Sequence, residues 1–352
     1  MSASTTATAL RQRGIRQPSL PRWAPAATTI GAVLVTLLLF ATTGFQGDAD
    51  FLVVAVLLAV VVLAALSWSI EGRRRAIDRI ATNLALVCLL LTLLPLGFVI
   101  GYVIKRGHTA FSLSFLTHDL SATGPLQAGG GVGHAVVGTL EQVLIASVIS
   151  VPLGIMVSIY ITEYGGRRLA TAVRFLIDVM TGIPSIVAGL FVLSFWIFVL
   201  HQGFSGIAGG IALAIIELPI IVRTSEEMIK LVPSALREAS YALGIPKWRT
   251  ILRVVLPTAS TGITTGVMLA IARVIGETAP VLLVVGSSNY FHNDPFKGDQ
   301  GSIGVYIFQN ATSPSNFSVQ RAWAAALTLI LIVVVLYVAA RLLTRRNKLA
   351  QR

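Results

Sequence analysis

A chain of 352 residues that is 55% hydrophobic and only 12% charged lies far from ordinary soluble domains, which carry about 25% charged residues. Apolar runs of the roughly 20 residues needed to cross a hydrocarbon core recur along it, and none alternates with the two-residue period of a barrel strand, so a soluble globule and an outer-membrane barrel are both excluded. The net charge of +12 would suggest nucleic acid on a soluble surface, but here it gathers at the ends of apolar runs and is accounted for by membrane topology, leaving no nucleic-acid partner to propose.

Residues 1–22 form a polar tail carrying Arg11, Arg13, Arg16 and Arg22. No A-x-A-like cleavage site follows the first apolar run, which therefore reads as a retained span. Hydropathy and length predict eight helical spans: 24–45, 51–70, 80–104, 136–162, 175–200, 206–222, 258–286 and 322–340. The first two make an accessory hairpin over 23–79, closed by the charged stretch 71–79. Cys88, the single cysteine, has no second thiol to pair with and reads as a packing residue.

Two long loops, 105–135 and 287–321, face one side. The first ends in Gly129-Gly130-Gly131-Val132-Gly133, which lacks the Gly-Lys pair of a nucleotide P-loop and reads as a hinge into the next span. The five histidines, His108, His118, His134, His201 and His292, lie in or near loops on this same outer side without metal-ligand spacing. Farther on, Gly182-Ile183-Pro184 is expected to bend the fifth span, because proline removes a backbone donor.

The stretch 223–256, on the opposite side, is polar yet patterned. Pro233 and Ser234 suit a helix start, Gly244 and Pro246 a stop, and Trp248, Ile251, Leu252 and Val255 recur at helical spacing in a second segment. On physical grounds alone this fits either a docking surface for a protein partner or an amphipathic hairpin lying on lipid headgroups.

In the seventh span, Gly262 and Gly266 with their threonine neighbours offer a face for close helix approach. Arg273 and Glu277 follow, four residues apart on what a continuous helix makes one face. Each would cost about 2.5 to 3.5 kcal/mol at mid-bilayer unless it met protein or water. They fit a structural ion pair or an anion path. Glu217, Glu141 and Asp178 are further carboxylates in or near spans. With the N-terminus inside, 22 of the 27 basic residues fall in inner segments and four, Lys105, Arg106, Lys297 and Arg321, outside. That asymmetry places both termini in the cytoplasm.

Glu238-Ala239-Ser240, Gly244 and Val254-Val255-Leu256-Pro257 resemble the E-A-A-x-x-x-G…I-x-L-P loop of ABC importer permeases, with Ser240 for Ala and Val254 for Ile. Four further runs resemble the PstA-type permeases of phosphate importers. They are Ile161-Thr162-Glu163-Tyr164, the segment Gly182-Ile183-Pro184-Ser185-Ile186-Val187-Ala188-Gly189-Leu190, the segment Leu218-Pro219-Ile220-Ile221-Val222-Arg223-Thr224-Ser225-Glu226-Glu227, and Ala272-Arg273-Val274-Ile275-Gly276-Glu277-Thr278-Ala279-Pro280. The resemblance runs from about residue 80 to the end of the chain.

What it implies is an all-α polytopic protein with a MetI-like permease core of six transmembrane helices in 80–352, joined to the N-terminal two-helix hairpin. Glu238, Ala239, Ser240 and Gly244 would couple to an ATPase. Because a guanidinium suits a tetrahedral oxyanion and Arg before Glu is the weaker order for a helix pair, Arg273 is expected to line the phosphate path with Glu277 holding it. The implied setting is a bacterial inner membrane, with a paralogous permease subunit, two ATPase subunits and an extracytoplasmic phosphate-binding protein as partners. The chain itself would have no ATPase site, cofactor or metal. A permease for sulfate or molybdate, or a membrane signalling scaffold, shares the general features.

Overall fold

The computed structural model describes residues 20–21, 23–43 and 48–349. The N-terminal tail and its four arginines lie outside the described residues, apart from Leu20 and Pro21. All regular structure among the described residues is helical. Two compact units, Met1–Gly101 and Tyr102–Arg352, succeed each other along the chain.

In the first unit, α1 (Ala24–Thr43) and α2 (Asp48–Glu71) pair as a hairpin. An edge-to-face contact of Phe40 and Phe51, ring centres 5.4 Å apart, closes one end. At the other, Glu71 accepts from Arg79 (2.6 and 2.8 Å), Ser67 (2.7 Å) and the Leu20 amide (2.6 Å). Gly72 takes a positive φ of 86° that lets the chain turn straight into α3 (Arg73–Gly107). Its 35 residues exceed the roughly 20 a bilayer needs, so its arginine-rich start stands in water. Cys88 is exposed along α3 and lies outside the buried core, contrary to the packing role expected of it.

The second unit contains α4 (Leu113–Thr117), α5 (Gly133–Ile159, ending in a π turn, Tyr160–Tyr164), α6 (Arg167–Gly182), α7 (Ser185–Val192, continued by a π segment, Leu193–Val199) and α8 (Gly206–Lys230). After them come α9 (Ser234–Ala242), α10 (Lys247–Thr250, running through the π turn Ile251–Val255 into α11, Leu256–Val274), α12 (Ala279–Val284), α13 (Ile303–Ala311) and α14 (Asn316–Leu349). Seven helical runs among the described residues are long and apolar enough to cross a membrane, or eight if the bent pair α6 and α7 is one span.

Small residues bring the helices together. Gly154 on α5 lies against Ile221 of α8, and Gly210 of α8 against Ile145 of α5, so these two axes approach closely. Around them Ala146, Ala208, Ala212, Leu213, Val274, Val281 and Val284 form the main buried cluster. The expected glycine face is used as well: Gly262 and Gly266 of α11 sit against Met228 and Thr224 of α8.

One expectation is sharpened and two need correction. The fifth span bends at Gly182-Ile183-Pro184 as expected, and its two halves, Arg168–Gly182 and Ser185–Val199, meet at 100°. Ile183 is extended (φ −72°, ψ 127°), as a residue before proline prefers, and Pro184 opens the new helix without an amide to donate. The seventh span is not one helix over 258–286. It begins at Lys247, stops at Val274, and resumes only at Ala279, where Pro280 suits a first turn. The glycines before α5 are not a free hinge either. A Cβ on Gly131 would strike the backbone of His118 and Phe115, and Arg321, only 4% exposed, donates to the carbonyls of Gln127 and Gly129 at 3.1 Å each.

Candidate functional site

Both helix breaks face one place. A cavity of about 200 Å³ is walled by Met180, Thr181, Ile183, Pro184 and Ser185 at the α6/α7 break, by Ile215, Ile216, Pro219 and Ile220 of α8, and by Arg273 and Glu277 at the end of α11. Three of the runs singled out in the sequence therefore converge on one space from segments up to about ninety positions apart. The non-helical backbone at Ile183–Pro184 and at Gly276–Thr278 is of the kind tolerated at membrane depth only where it is buried in protein or lines a cavity.

Arg273 and Glu277 do not share a helix face, because the helix ends between them. A turn at Ile275–Gly276, in which the Glu277 amide donates to the Val274 carbonyl at 3.1 Å, takes the chain out of the α11 helix, and among the described residues no ion pair joins the two side chains. Both line the cavity, Arg273 exposed and Glu277 half-buried. A guanidinium with its donors uncommitted among the described residues, sharing a cavity with a carboxylate and the Ser185 and Thr181 hydroxyls, can bind an oxyanion, with donors toward its oxygens and an acceptor toward any proton it carries. Thr181 gives its own hydrogen to the Ile177 carbonyl at 2.8 Å, which leaves its oxygen as an acceptor.

Glu217, flagged in the sequence as an intramembrane carboxylate, lies outside this cavity. It is fully buried between α8 and α5, where Ser147 donates to it at 3.1 Å. Asp178 pairs with Arg223, and Glu141 accepts from Gln300, whose side chain also accepts from Gln142 at 3.0 Å. A larger pocket of about 470 Å³ opens on the loop side between α4 and the start of α14. Its one buried cation, Arg321, is already engaged by loop carbonyls, so the smaller cavity is the better anion site. In that loop Asp119 accepts from the Ser121 hydroxyl at 2.7 Å, which holds its carboxyl below the usual carboxylate range.

At the opposite end, 223–256 folds more tightly than expected. Helix α8 continues to Lys230 and α10 begins at Lys247, which leaves 231–246 outside the long helices. Helix α9 starts after Pro233, and Gly244 turns the chain with φ 71°, both as the sequence indicates. The apolar stripe divides: Ile251 and Val255 are buried, whereas Leu243 is 80% and Trp248 53% exposed. Glu238, Ala239 and Gly244 are exposed too, but Ser240 points inward and shares a 2.8 Å hydrogen bond with Thr250, which locks α9 onto α10. A rigid hairpin that presents Leu236, Tyr241, Leu243 and Trp248 outward is built for contact.

Sequence reasoning missed two features here. Arg237 reaches Glu163 of the π turn at 3.0 Å, and Arg174 reaches Glu226 at 2.7 Å. Both glutamates stand in the quoted motifs, but no local pattern connects residues 52 and 74 positions apart.

Comparison with known proteins bears on this geometry. Residues 150–349 match the family described as "Binding-protein-dependent transport system inner membrane component". The chain is 45% identical over 282 residues to "Phosphate transport system permease protein PstA 1" of Mycobacterium tuberculosis, covering 79% of this chain and 92% of that protein. To the Yersinia pestis "Phosphate transport system permease protein PstA" it is 42% identical, covering 79% and 93%. Among solved structures, a bacterial alginate ABC transporter in complex with a periplasmic protein superposes with a TM-score of 0.56 at 15% identity, over 79% of this chain and 97% of the other. The MetNI methionine ABC transporter in an inward-facing form gives 0.50 at 19% identity, over 62% and 94%. These two likenesses support the fold. The chain belongs to the family of binding-protein-dependent transport system inner membrane components and, within it, to the PstA phosphate permeases.

Proposed function

We propose that this chain is the membrane-spanning subunit of an ATP-driven importer of inorganic phosphate, forming half of the translocation path, with Arg273 and Glu277 on that path. As a family member it is a multi-pass inner membrane protein, a transport component that works with an ATPase and a binding protein. The observation that carries the reading is the cavity where three motif segments bring together Arg273, Glu277, Thr181 and Ser185. Phosphate carries a charge of about −1.5 to −2. Bringing it in against roughly 100 mV, negative inside, costs on the order of 3 to 5 kcal/mol at about 2.3 kcal/mol per charge. That work has to be supplied from outside this chain.

The finer arrangement follows from the same reading. The exposed hairpin 231–246, with Glu238, Ala239 and Gly244 outward and Ser240 holding it rigid, is the coupling surface for one of two ATPase subunits. A paralogous permease completes the path, and a phosphate-binding protein delivers from outside. The chain itself supplies no ATPase site. Residues 23–79 are an accessory hairpin and residues 80–352 the permease domain, and both termini are cytoplasmic, in keeping with the arginine distribution. ATP-driven closure would push the hairpin and rock the helices around the cavity, giving access to each side in turn.

Arg273→Gln tests the core of this. The residue lies outside the buried clusters, so the complex assembles, and loss of the guanidinium removes an ionic contact of roughly 1.5 to 3 kcal/mol, lowering radiolabelled phosphate uptake by about tenfold or more. Uptake at the wild-type rate by assembled Arg273→Gln complexes would sink the assignment. Sulfate that competes with phosphate as well as phosphate itself would point to a different oxyanion.

A further inference from the structure

At the inner end of the second unit one side chain holds three elements together. Arg237, on α9 immediately before Glu238, donates through Nε to Glu163 at 3.1 Å, through Nη1 to the Val232 carbonyl at 2.5 Å and through Nη2 to the Ile229 carbonyl at 2.9 Å. Ile229 is in the last turn of α8 and Val232 just beyond it; the Ile229 carbonyl also accepts from the Val232 amide at 3.3 Å, so Arg237 adds side-chain donors to the turn that closes α8. Glu163 belongs to the π turn that ends α5. The guanidinium is 18% and the carboxylate 7% exposed, and only a planar fork satisfies three acceptors in separate directions.

The surroundings reinforce this grip on the π turn. Lys247 donates to the Glu163 carbonyl and lies 4.9 Å from the centre of the Tyr164 ring. From the other side Arg174 of α6 binds Glu226 of α8 at 2.7 Å and reaches the Ile161 carbonyl at 3.5 Å, and Lys230 also meets Glu226 at 2.7 Å. Helix α8, whose end Arg237 caps, carries Ile216, Pro219 and Ile220 to the cavity of Arg273 and Glu277. A π turn spaces its hydrogen bonds one residue wider than an α-helix, so its register can change locally while the helix above stays intact.

We propose that Arg237 is a positioning residue for transport: it bolts the hairpin helix α9 to the inner ends of α5 and α8, so that displacement of the hairpin becomes movement of α8, which lines the cavity, and of α5 packed against it. Glu163 is its acidic partner. This inference rests on the transport reading above, in which the ATPase pushes the hairpin. Hydrolysis occurs in the partner and passage in this chain, so loss of the bolt separates the two processes.

The test uses the complete complex in proteoliposomes with phosphate-loaded binding protein, measuring ATP hydrolysis and radiolabelled phosphate uptake in the same vesicles. For Arg237→Gln, hydrolysis persists while phosphate moved per ATP falls about fivefold or more, the lower range of typical coupling between sites. Glu163→Gln shifts the ratio in the same direction but less, since Arg237 keeps its two carbonyl contacts. The charge-swapped pair Arg237→Glu with Glu163→Arg regains part of the ratio lost in either swap alone. A merely structural role would lower hydrolysis and uptake in proportion, and that result, or a wild-type ratio in Arg237→Gln, overturns the proposal. If Arg237→Gln does not assemble, Glu163→Gln is decisive, and a wild-type ratio there overturns the proposal equally. Wild-type vesicles without ATP-driven phosphate uptake overturn the transport reading itself and this inference with it.

Discussion

Gly138, in the second turn of α5, occupies a place where any side chain would run into the backbone carbonyl of Gly301. The approach is fixed from several directions: Gln142 donates to the same carbonyl at 3.1 Å, and Thr139 accepts from the Ile303 amide at 2.8 Å. Backbone cannot swing aside as a flexible side-chain tip does. Gly138→Ala should therefore destabilise the protein by about 1 to 3 kcal/mol, seen as a lower melting temperature in detergent, whereas Gly166→Ala, whose Cβ meets open space, should leave melting unchanged. Nothing local in the sequence announces this contact, because Gly138 and Gly301 lie on either side of the site. Arg273 was legible from a different signal, a charge where the bilayer penalises charge. Its relation to Glu277 was not, because four-residue spacing implies a shared face only while the helix continues, and here it ends at Val274. Glu217 was equally conspicuous in sequence, yet the structure puts it in a helix contact beside Ser147 and away from the cavity.

Among the elements, the hairpin 231–246 was the most readable, since proline and glycine mark its start and turn by conformations they impose on their own. Its stiffness was not readable. Ser240 looked like a conservative departure from the alanine of the signature, and only the structure shows its hydroxyl meeting Thr250, with both side chains buried. Ser240→Ala removes that bond and leaves Thr250 a weaker contact with the Pro246 carbonyl at 3.4 Å. The expected cost is about 0.5 to 1.5 kcal/mol. It should appear as faster amide exchange across α9 and α10 with uptake and ATPase assembly retained. Unchanged exchange would show that packing of Ile251 and Val255, and not the hydroxyl pair, holds the hairpin. The 100° break at Gly182-Ile183-Pro184 was foreseen as a bend but not in size, because proline specifies where a helix yields while the neighbours packed against both halves decide how far.

For the molecule as a whole, the proposed topology rests on the arginine asymmetry, and the second unit has two distinct ends to which it applies. At one end the loops are tied down, the Leu120 amide donating to the Asn289 carbonyl (2.9 Å) and the Ile207 amide, in the first turn of α8, to the Pro295 carbonyl (2.8 Å). The π turn, the end of α8 and the hairpin meet through Arg237 at the other. Leu126 and Leu243, 76% and 80% exposed, stand on these opposite ends, and each is apolar enough to replace by cysteine without loss of a partner. With Cys88 changed to alanine, Leu126→Cys in right-side-out vesicles should react with a membrane-impermeant maleimide. Leu243→Cys should react only in inside-out vesicles, because the positive-inside rule places the side bearing Arg167, Arg168, Arg174, Arg237 and Arg249 in the cytoplasm. Labelling of Leu243→Cys should also slow once the ATPase is bound, since an 80% exposed leucine at the tip of a rigid hairpin is what such a partner would cover. Reversed labelling of the two sites would overturn the orientation. Labelling of Leu243→Cys that is indifferent to the ATPase would instead move the docking surface off the α9 tip, toward Trp248 on α10.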